Sequence, residues 1–304
     1  MDGILNVHKS IGMTSFDVVA RVRRLTQMKK VGHAGTLDPD ASGVLPVCIG
    51  KATKVIEFLM DKDKAYRVGL VLGKATDSQD ASGKTLYEKP VLVSNEVIEK
   101  AIKEFAGCRQ QIPPMFSAIR IDGKRLYDLA RQGLEVERKP RLVTFYSIDI
   151  IEIKRFTDKV SVTLDVECSK GTYMRTLCHD IGEKLECGGH MASLIRTRSG
   201  PFLLEKAQTL EELVSLKDRN QLEAALLPMD HAILHLPDVH VSPMEAKRLM
   251  NGLSIANKGV PGYCRVYHED GSFLAIGKGF ELGNGTMLRT HKWIGHDTMN
   301  GTSL

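Results

Sequence analysis

Residues 142–153 and 160–168 alternate apolar and polar side chains, the period of two strands that each bury one face, and they lie close enough in the chain to pair. Residues 4–8 and 65–72 read as further strands. Helical spacing takes over elsewhere. At Thr14-Ser15-Phe16-Asp17 a hydroxyl cap is followed three residues later by an acid, which predicts a helix running to about residue 25 with Phe16, Val19, Ala20 and Val22 on its apolar side. Residues 51–60 and 95–105 predict two more. Residues 173–185 predict another, with Leu177, Ile181 and Leu185 on one face and Gly188-Gly189 as its stop.

Glycine and proline punctuate residues 31–50 too often for regular structure, so this segment predicts a long, shaped loop that leads into a strand over 44–49. A turn is expected at 77–83. Residues 111–140 carry Pro113-Pro114, Gly123 and Gly133 together with Arg120, Lys124, Arg125, Arg131, Arg138 and Lys139. They predict a basic excursion around one short helix, suited to gripping nucleic acid. Pro228 and Pro237 frame a linker. After it, a helix over 243–251 and short strands over 260–267 and 273–279 predict a small β-barrel. Strands interspersed with helices in one large unit of residues 1–235, followed by a small one of 236–304, give an α/β (α+β) protein of two domains.

Composition excludes more than it selects. With 42% hydrophobic and 26% charged residues the chain is neither disordered nor fibrous. A net charge of +5 suits a polyanion, though many proteins without such a partner are as basic. Arg21, Arg23, Arg24, Lys29 and Lys30 follow one another without an intervening acid, and they suit phosphate contact or a solvated helix end equally. Cys48, Cys108, Cys168, Cys178, Cys187 and Cys264 are scattered, with no CxxC pair, as in reduced cytosolic proteins. The first ten residues have no leader-like apolar core and no stretch is long enough to span a membrane, so a cytoplasmic location is expected.

Gly32-His33-Ala34-Gly35-Thr36-Leu37-Asp38-Pro39-Asp40-Ala41-Ser42-Gly43-Val44-Leu45-Pro46 is the segment that promises chemistry. Glycines admit close approach to a ligand and prolines fix the path, so an acid at Asp38 gains a defined position. An ordinary Asp-Pro turn has the same local sequence. Asp38 and Asp40 lack the neighbouring acids or histidines that would complete a Mg²⁺ shell. Cys178, His179, Cys187 and His190 suggest zinc, but two cysteines nine apart on one helix would point away from each other. No metal and no other cofactor is expected.

Gly-His-Ala-Gly-Thr-Leu-Asp-Pro at 32–39 resembles the catalytic-loop motif of the TruB family, the bacterial tRNA pseudouridine-55 synthases. Lys64-Ala65-Tyr66-Arg67-Val68 and Gly171-Thr172-Tyr173-Met174-Arg175-Thr176-Leu177 are similar to its second and third motifs. Gln111-Ile112-Pro113-Pro114 with Ser117-Ala118, and the segment Leu194-Ile195-Arg196-Thr197-Arg198-Ser199-Gly200, follow in the family's order, so the likeness spans residues 3–230. It departs at His8-Lys9-Ser10, where the family commonly has Asp-Lys-Pro, and at Arg120, where a lysine is usual. The second departure keeps the charge and changes the hydrogen-bond geometry.

The resemblance implies the pseudouridine-synthase fold, with a mixed, largely antiparallel central sheet and a PUA-like RNA-binding barrel after it. It implies isomerisation of a T-arm uridine of tRNA by base flipping. Asp38 would be the nucleophile, adding to the base at C6 or attacking the ribose at C1′, and Arg175 would keep that carboxylate charged and oriented. Tyr66 would stack on the flipped base, its hydroxyl able to assist loss of the C5 proton, with Tyr173 and Leu194 lining the same pocket. Read without the family, Tyr66 and Leu194 suit a core equally. His33 would support the strand from which the base departs, and Asp80 would stand near the site. The barrel would dock the acceptor end or act as a stability cap. Its segment, 241–304, holds seven Lys and Arg against five acids, so charge does not choose. The expected partner is tRNA, bound by a monomer. A tRNA-binding protein without chemistry, or a phosphotransferase using Asp38 as acceptor, are the rivals, and the second lacks a P-loop signature.

Overall fold

In a computed structural model of the chain, residues 1–117, 119–121, 123–256, 259–282 and 285–295 are described. Strand β1 (Gly3–Lys9) is buried along nearly its whole length and leads to the turn that opens α1 (Ser15–Thr26). There the Thr14 hydroxyl accepts from the Asp17 amide while the Asp17 carboxylate accepts from the Thr14 amide, a reciprocal cap. β2 (Val31–His33) and β3 (Ser42–Ile49) follow, then a 3₁₀ turn over Gly50–Val55 continued by α2 (Ile56–Met60), and β4 (Lys64–Leu72). A hairpin of β5 (Lys74–Thr76) and β6 (Thr85–Glu88) precedes α3 (Asn95–Lys103) and β7 (Gly107–Gln111).

The basic excursion holds the short pair β8 (Arg120–Ile121) and β9 (Lys124–Arg125) and one short helix, α4 (Leu126–Arg131). Ala118, Asp122 and the side chains of Arg120, Lys124 and Arg125 lie outside the described residues. Next come β10 (Arg141–Arg155), β11 (Val160–Cys168), α5 (Met174–Lys184), β12 (Gly189–Ser199), β13 (Phe202–Leu203) and α6 (Leu210–Asp218). β14 (Asp238–Val241), α7 (Pro243–Met250), β15 (Ile255–Ala256), β16 (Tyr263–His268), β17 (Phe273–Leu282) and β18 (Gly285–Trp293) complete the described chain.

Nine strands form one mixed sheet whose main order is β1-β3-β12-β4-β11-β10-β7, with β2 on β3 and β13 on β12. All its pairs are antiparallel except β3 with β12, so the sheet is mixed and largely antiparallel. Val68, Leu70, Leu72, Val162 and Leu164 pack against Ile98 and Ile102 of α3 and Leu177 and Ile181 of α5. In β1 and β3 the alternation splits two cores. Leu5, Val7, Leu45 and Val47 meet Val18, Val19 and Val22 of α1, while Ile4, Val44 and Cys48 look the other way, toward Ala232, Ile233, Ile276 and Ile294.

A second sheet, in the order β14-β16-β17-β18-β15, follows the first. The two are joined tightly. Lys51 donates to the Gly295 carbonyl at 2.8 Å, and the Phe58 ring meets Tyr263 edge-on with centroids 5.2 Å apart.

Four expectations need correction. Phe16 and Ala20 are exposed, because the buried stripe of α1 is Ser15, Val18, Val19 and Val22. Regular structure begins earlier than residue 44: β2 pairs along the end of β3. The stretch between Pro228 and Pro237 is no free linker, since Ala232 and Ile233 are buried between the sheets. Finally β12, at the middle of the large sheet, was read only as a motif-bearing segment. Its run, GHMASLIRTRS, is irregular because the register shifts twice along β4, which disrupts the alternation a strand would show.

Gly43 stands opposite Arg196 where β3 and β12 run parallel. Its φ is +111°, and a Cβ there would lie 2.3 Å from the Arg196 carbonyl oxygen and 2.6 Å from its nitrogen. Gly252, at φ +76°, has nothing within 4 Å. Gly43→Ala is therefore expected to cost at least about 2 kcal/mol in urea unfolding, and Gly252→Ala about 1 kcal/mol from backbone strain alone. Equal losses would show that the close approach of β12 is not what demands glycine at position 43.

Candidate functional site

Residues 34–41 cross from β2 to β3 without regular structure, so their backbone groups need partners from elsewhere. All five carbonyls from Gly35 to Pro39 find one. Arg196 donates to Gly35 at 2.9 Å and to Thr36 at 3.3 Å. The Ser15 hydroxyl donates to the Leu37 carbonyl at 3.2 Å and accepts from the Leu37 amide at 2.9 Å. The Asp38 carbonyl accepts from the Ala41 amide at 3.1 Å, and the Pro39 carbonyl from the Gly12 amide at 2.9 Å and Lys9 Nζ at 3.3 Å.

The clamping side chains come from the interior. Ser15, Lys9 and Arg196 are all buried, and Arg196 also donates through Nε to the Val44 carbonyl at 2.7 Å. Lys9 Nζ further donates to the carbonyls of Met13 at 2.6 Å and Ser10 at 3.0 Å. Burial pushes the Lys9 ammonium below its ordinary pKa, against the pull of Asp38 and Asp40.

So framed, Asp38 projects its carboxylate to the open side. Its side chain is 44% exposed, and Oδ2 lies 3.1 Å from Arg175 Nη2. Arg175, in the first turn of α5, is 6% exposed and serves three acceptors. Besides Asp38 it lies 3.6 Å from Asp80 Oδ2 and donates to the Phe116 carbonyl at 2.7 Å. Asp80 is itself fixed, with Oδ1 accepting from the hydroxyls of Ser78 and Ser82, each at 2.6 Å. The guanidinium thus holds one carboxylate against the protein and leaves the other facing solvent.

Leu37, Ala41, Tyr66, Met174 and Leu194 belong to one apolar cluster beside these groups. Burial raises the Tyr66 phenol to about 12, with the Arg196 guanidinium beside it acting in the opposite direction. The hydroxyl therefore stays protonated at neutral pH, a donor and not a standing base. Tyr173 is fixed through its backbone: its amide donates to Gln111 Oε1 at 2.8 Å, and Gln111 Nε2 donates back to its carbonyl at 3.0 Å. Burial raises this phenol too. His33 ends β2 with its ring edge-on to Phe16, centroids 5.5 Å apart. Burial, aided by the charge of Arg196, lowers its pKa and favours the neutral ring.

The structure thus brings Asp38, Asp80 and Arg175 into one ion-paired group, and ties Tyr66 and Leu194 to it through the shared apolar wall. His33 lies just before the loop, and Tyr173 just before Arg175. Three contributors escaped the sequence reading: Arg196, Lys9 and Ser15. Arg196 lies in a strand whose alternation is broken, Lys9 in the segment that departs from the family pattern, and Ser15 in the sequence that caps α1. The zinc argument also needs correction in its geometry. α5 ends at Lys184, so Cys187 lies beyond the helix that carries Cys178; both thiols are buried and pushed up by that burial.

The model for the TruB family pseudouridylate synthase N-terminal domain matches residues 23–174, and that for the tRNA pseudouridylate synthase B C-terminal domain matches 175–234. A tRNA pseudouridine synthase B of Alkaliphilus oremlandii is 53% identical over 83% of this chain and 82% of its own. One from Clostridium perfringens is 45% identical over 93% of this chain and 97% of its own. Among solved structures, a chain of a Cbf5-Nop10-Gar1 complex superposes with TM-score 0.75 at 29% identity, covering 96% of this chain and 85% of that one.

Ser15→Ala removes both hydrogen bonds to Leu37 from a buried position. The expected loss is about 1–3 kcal/mol in urea unfolding. A stability equal to the parent's would mean that the Ser15 hydroxyl does not hold the loop.

Proposed function

The chain belongs to the TruB family of pseudouridylate synthases and isomerises uridine to pseudouridine in tRNA; from that premise we propose that its target is position 55 in the T arm and that Asp38 is the nucleophile. The observation that carries the proposal is the Asp38 carboxylate itself, set on a backbone whose carbonyls from Gly35 to Pro39 are all hydrogen-bonded, 3.1 Å from a buried arginine and open on its other side.

A stacked uridine must leave the helix to reach this carboxylate, at a cost of a few kcal/mol. The apolar wall of Tyr66 and Leu194, with Tyr173 near it, receives the flipped base, and His33 supports the strand left behind. Arg175, 3.1 Å away, orients the carboxylate, which adds at C6 or at C1′. By either route the N1–C1′ bond breaks, the base turns while the wall retains it, C5 bonds to C1′, and the bond to Asp38 breaks, displaced at C1′ or eliminated at C6, so that the carboxylate is regenerated. C5 then loses its proton and N1 gains one, so the reaction is balanced without oxidant, reductant or group donor. Tyr66, protonated until about 12, serves as a stacking surface and a hydrogen-bonding relay for the C5 proton, not as a phenolate.

The second sheet is read as a PUA-like domain that docks the acceptor end. Its firm seating on the large sheet, through Lys51 with Gly295 and Phe58 with Tyr263, supports a fixed docking surface. The basic side chains of Arg131, Arg138 and Lys139 are described in the excursion, and the excursion is read as the second grip on the RNA. Residues 296–304 of the small domain lie outside the described ones. Action as a monomer is part of the same proposal. No helix among the described residues is long and apolar enough to cross a membrane, and action on tRNA suits the cytoplasm.

The test is release of tritium from C5-labelled uridine in a tRNA transcript, an isolated T-arm hairpin and a hairpin with cytidine at position 55. The parent is expected to release tritium from the first two and not the third, and Asp38→Asn to release none while still binding. Release from the cytidine-55 hairpin would remove the position, and release by Asp38→Asn would remove the nucleophile. Binding by the parent without any release would favour the non-catalytic reading.

A further inference from the structure

Phe16 is a large aromatic side chain in the first turn of α1, yet it is 68% exposed. A singly exposed apolar side chain is ordinary at a protein surface, and what sets Phe16 apart is the ring it meets beside the Asp38 loop. Its backbone is rigid, set between the reciprocal Thr14–Asp17 cap and Ser15, whose hydroxyl grips Leu37 of the catalytic loop. Its one aromatic neighbour among the described residues is His33, at 5.5 Å and an interplanar angle of 84°. That edge-to-face geometry is the preferred one for two rings, and it restricts how the imidazole can turn.

The imidazole has little else to orient it. His33 Nδ1 is buried with no hydrogen-bond partner among the described residues. A ring without a polar anchor relies on packing, and Phe16 supplies it. The apolar, uncharged pair stands at the start of the loop that carries Asp38.

We infer that Phe16 is a positioning residue for RNA: it sets the His33 ring at the angle needed to support the strand left by the flipped uridine, and its exposed face stacks on a neighbouring unpaired base. The inference rests on the proposed role of His33. Base–aromatic stacking tolerates any base, so the contact contributes to binding without reading sequence. A ring is required, not merely apolar area. Leucine at this position keeps the helix and the hydrophobicity and loses the stacking plane.

The test measures tritium release from a T-arm hairpin as a function of RNA concentration, together with direct binding of the same hairpin by filter retention. Phe16→Leu is expected to raise the half-saturating RNA concentration and the dissociation constant about 5- to 20-fold, with the saturating rate within about twofold of the parent. Phe16→Tyr is expected to restore both constants to within about twofold. In a His33→Ala background, Phe16→Leu should add little more than half of its fold-effect, because one of its two functions is already lost. Parental binding by Phe16→Leu would overturn the inference, and so would a loss that Phe16→Tyr fails to rescue. A full, independent loss in the His33→Ala background would overturn the coupling to His33. Filter retention registers the Phe16 effect even if no tritium is released, so failure of the catalytic reading and failure of this inference give different results.

Discussion

Five consecutive carbonyls without secondary structure are a liability that a protein must cover, and here the covering determines where the Asp38 carboxylate sits. Arg196 reaches from β12, Ser15 from α1 and Lys9 from β1, so the loop over 34–41 is held by three elements that are themselves packed into the large sheet and its helices. Each clamp is a buried polar or charged group whose desolvation is offset by the carbonyls it serves. The frame and the fold are consequently one construction: loosening β12 or α1 releases the loop.

Arg175 carries the same logic to the side chains. One buried guanidinium serves Asp38, Asp80 and the Phe116 carbonyl, and its planar fork meets acceptors from three directions that a lysine could not serve together. Asp80 balances charge on the protein side and Asp38 faces the cleft. Burying a cation of this kind is costly unless it is paired, and here two carboxylates and one carbonyl offset that cost.

Local pattern showed the strands 142–153 and 160–168, the helices near 14–25, 95–105 and 173–185, and the loop around Asp38, because each buries one regular face or is broken by glycine and proline. What pattern hid was non-local. β12 shifts register twice against β4, so no clean alternation marks it, although it pairs parallel with β3 on one side and antiparallel with β4 on the other. Arg196 was hidden with it, since nothing local distinguishes an arginine that will be 1% exposed from one at the surface. Phe16 failed in the opposite sense: helical spacing assigns an aromatic there to the core, and the structure turns it outward beside His33. Asp80 is one acid in a turn rich in polar residues, and the approach of α5 is what brings a charged partner to it.

If position rather than charge alone makes Asp38 effective, lengthening its side chain by one methylene should be nearly as damaging as neutralising it. The direct measurement is the single-turnover rate of tritium release from a saturating T-arm hairpin by Asp38→Glu. The account predicts a fall of at least about a hundredfold with binding intact, since misplacement by about 1 Å can cost that much. A rate within tenfold of the parent would show that the clamped loop does not set the position of the reacting carboxylate.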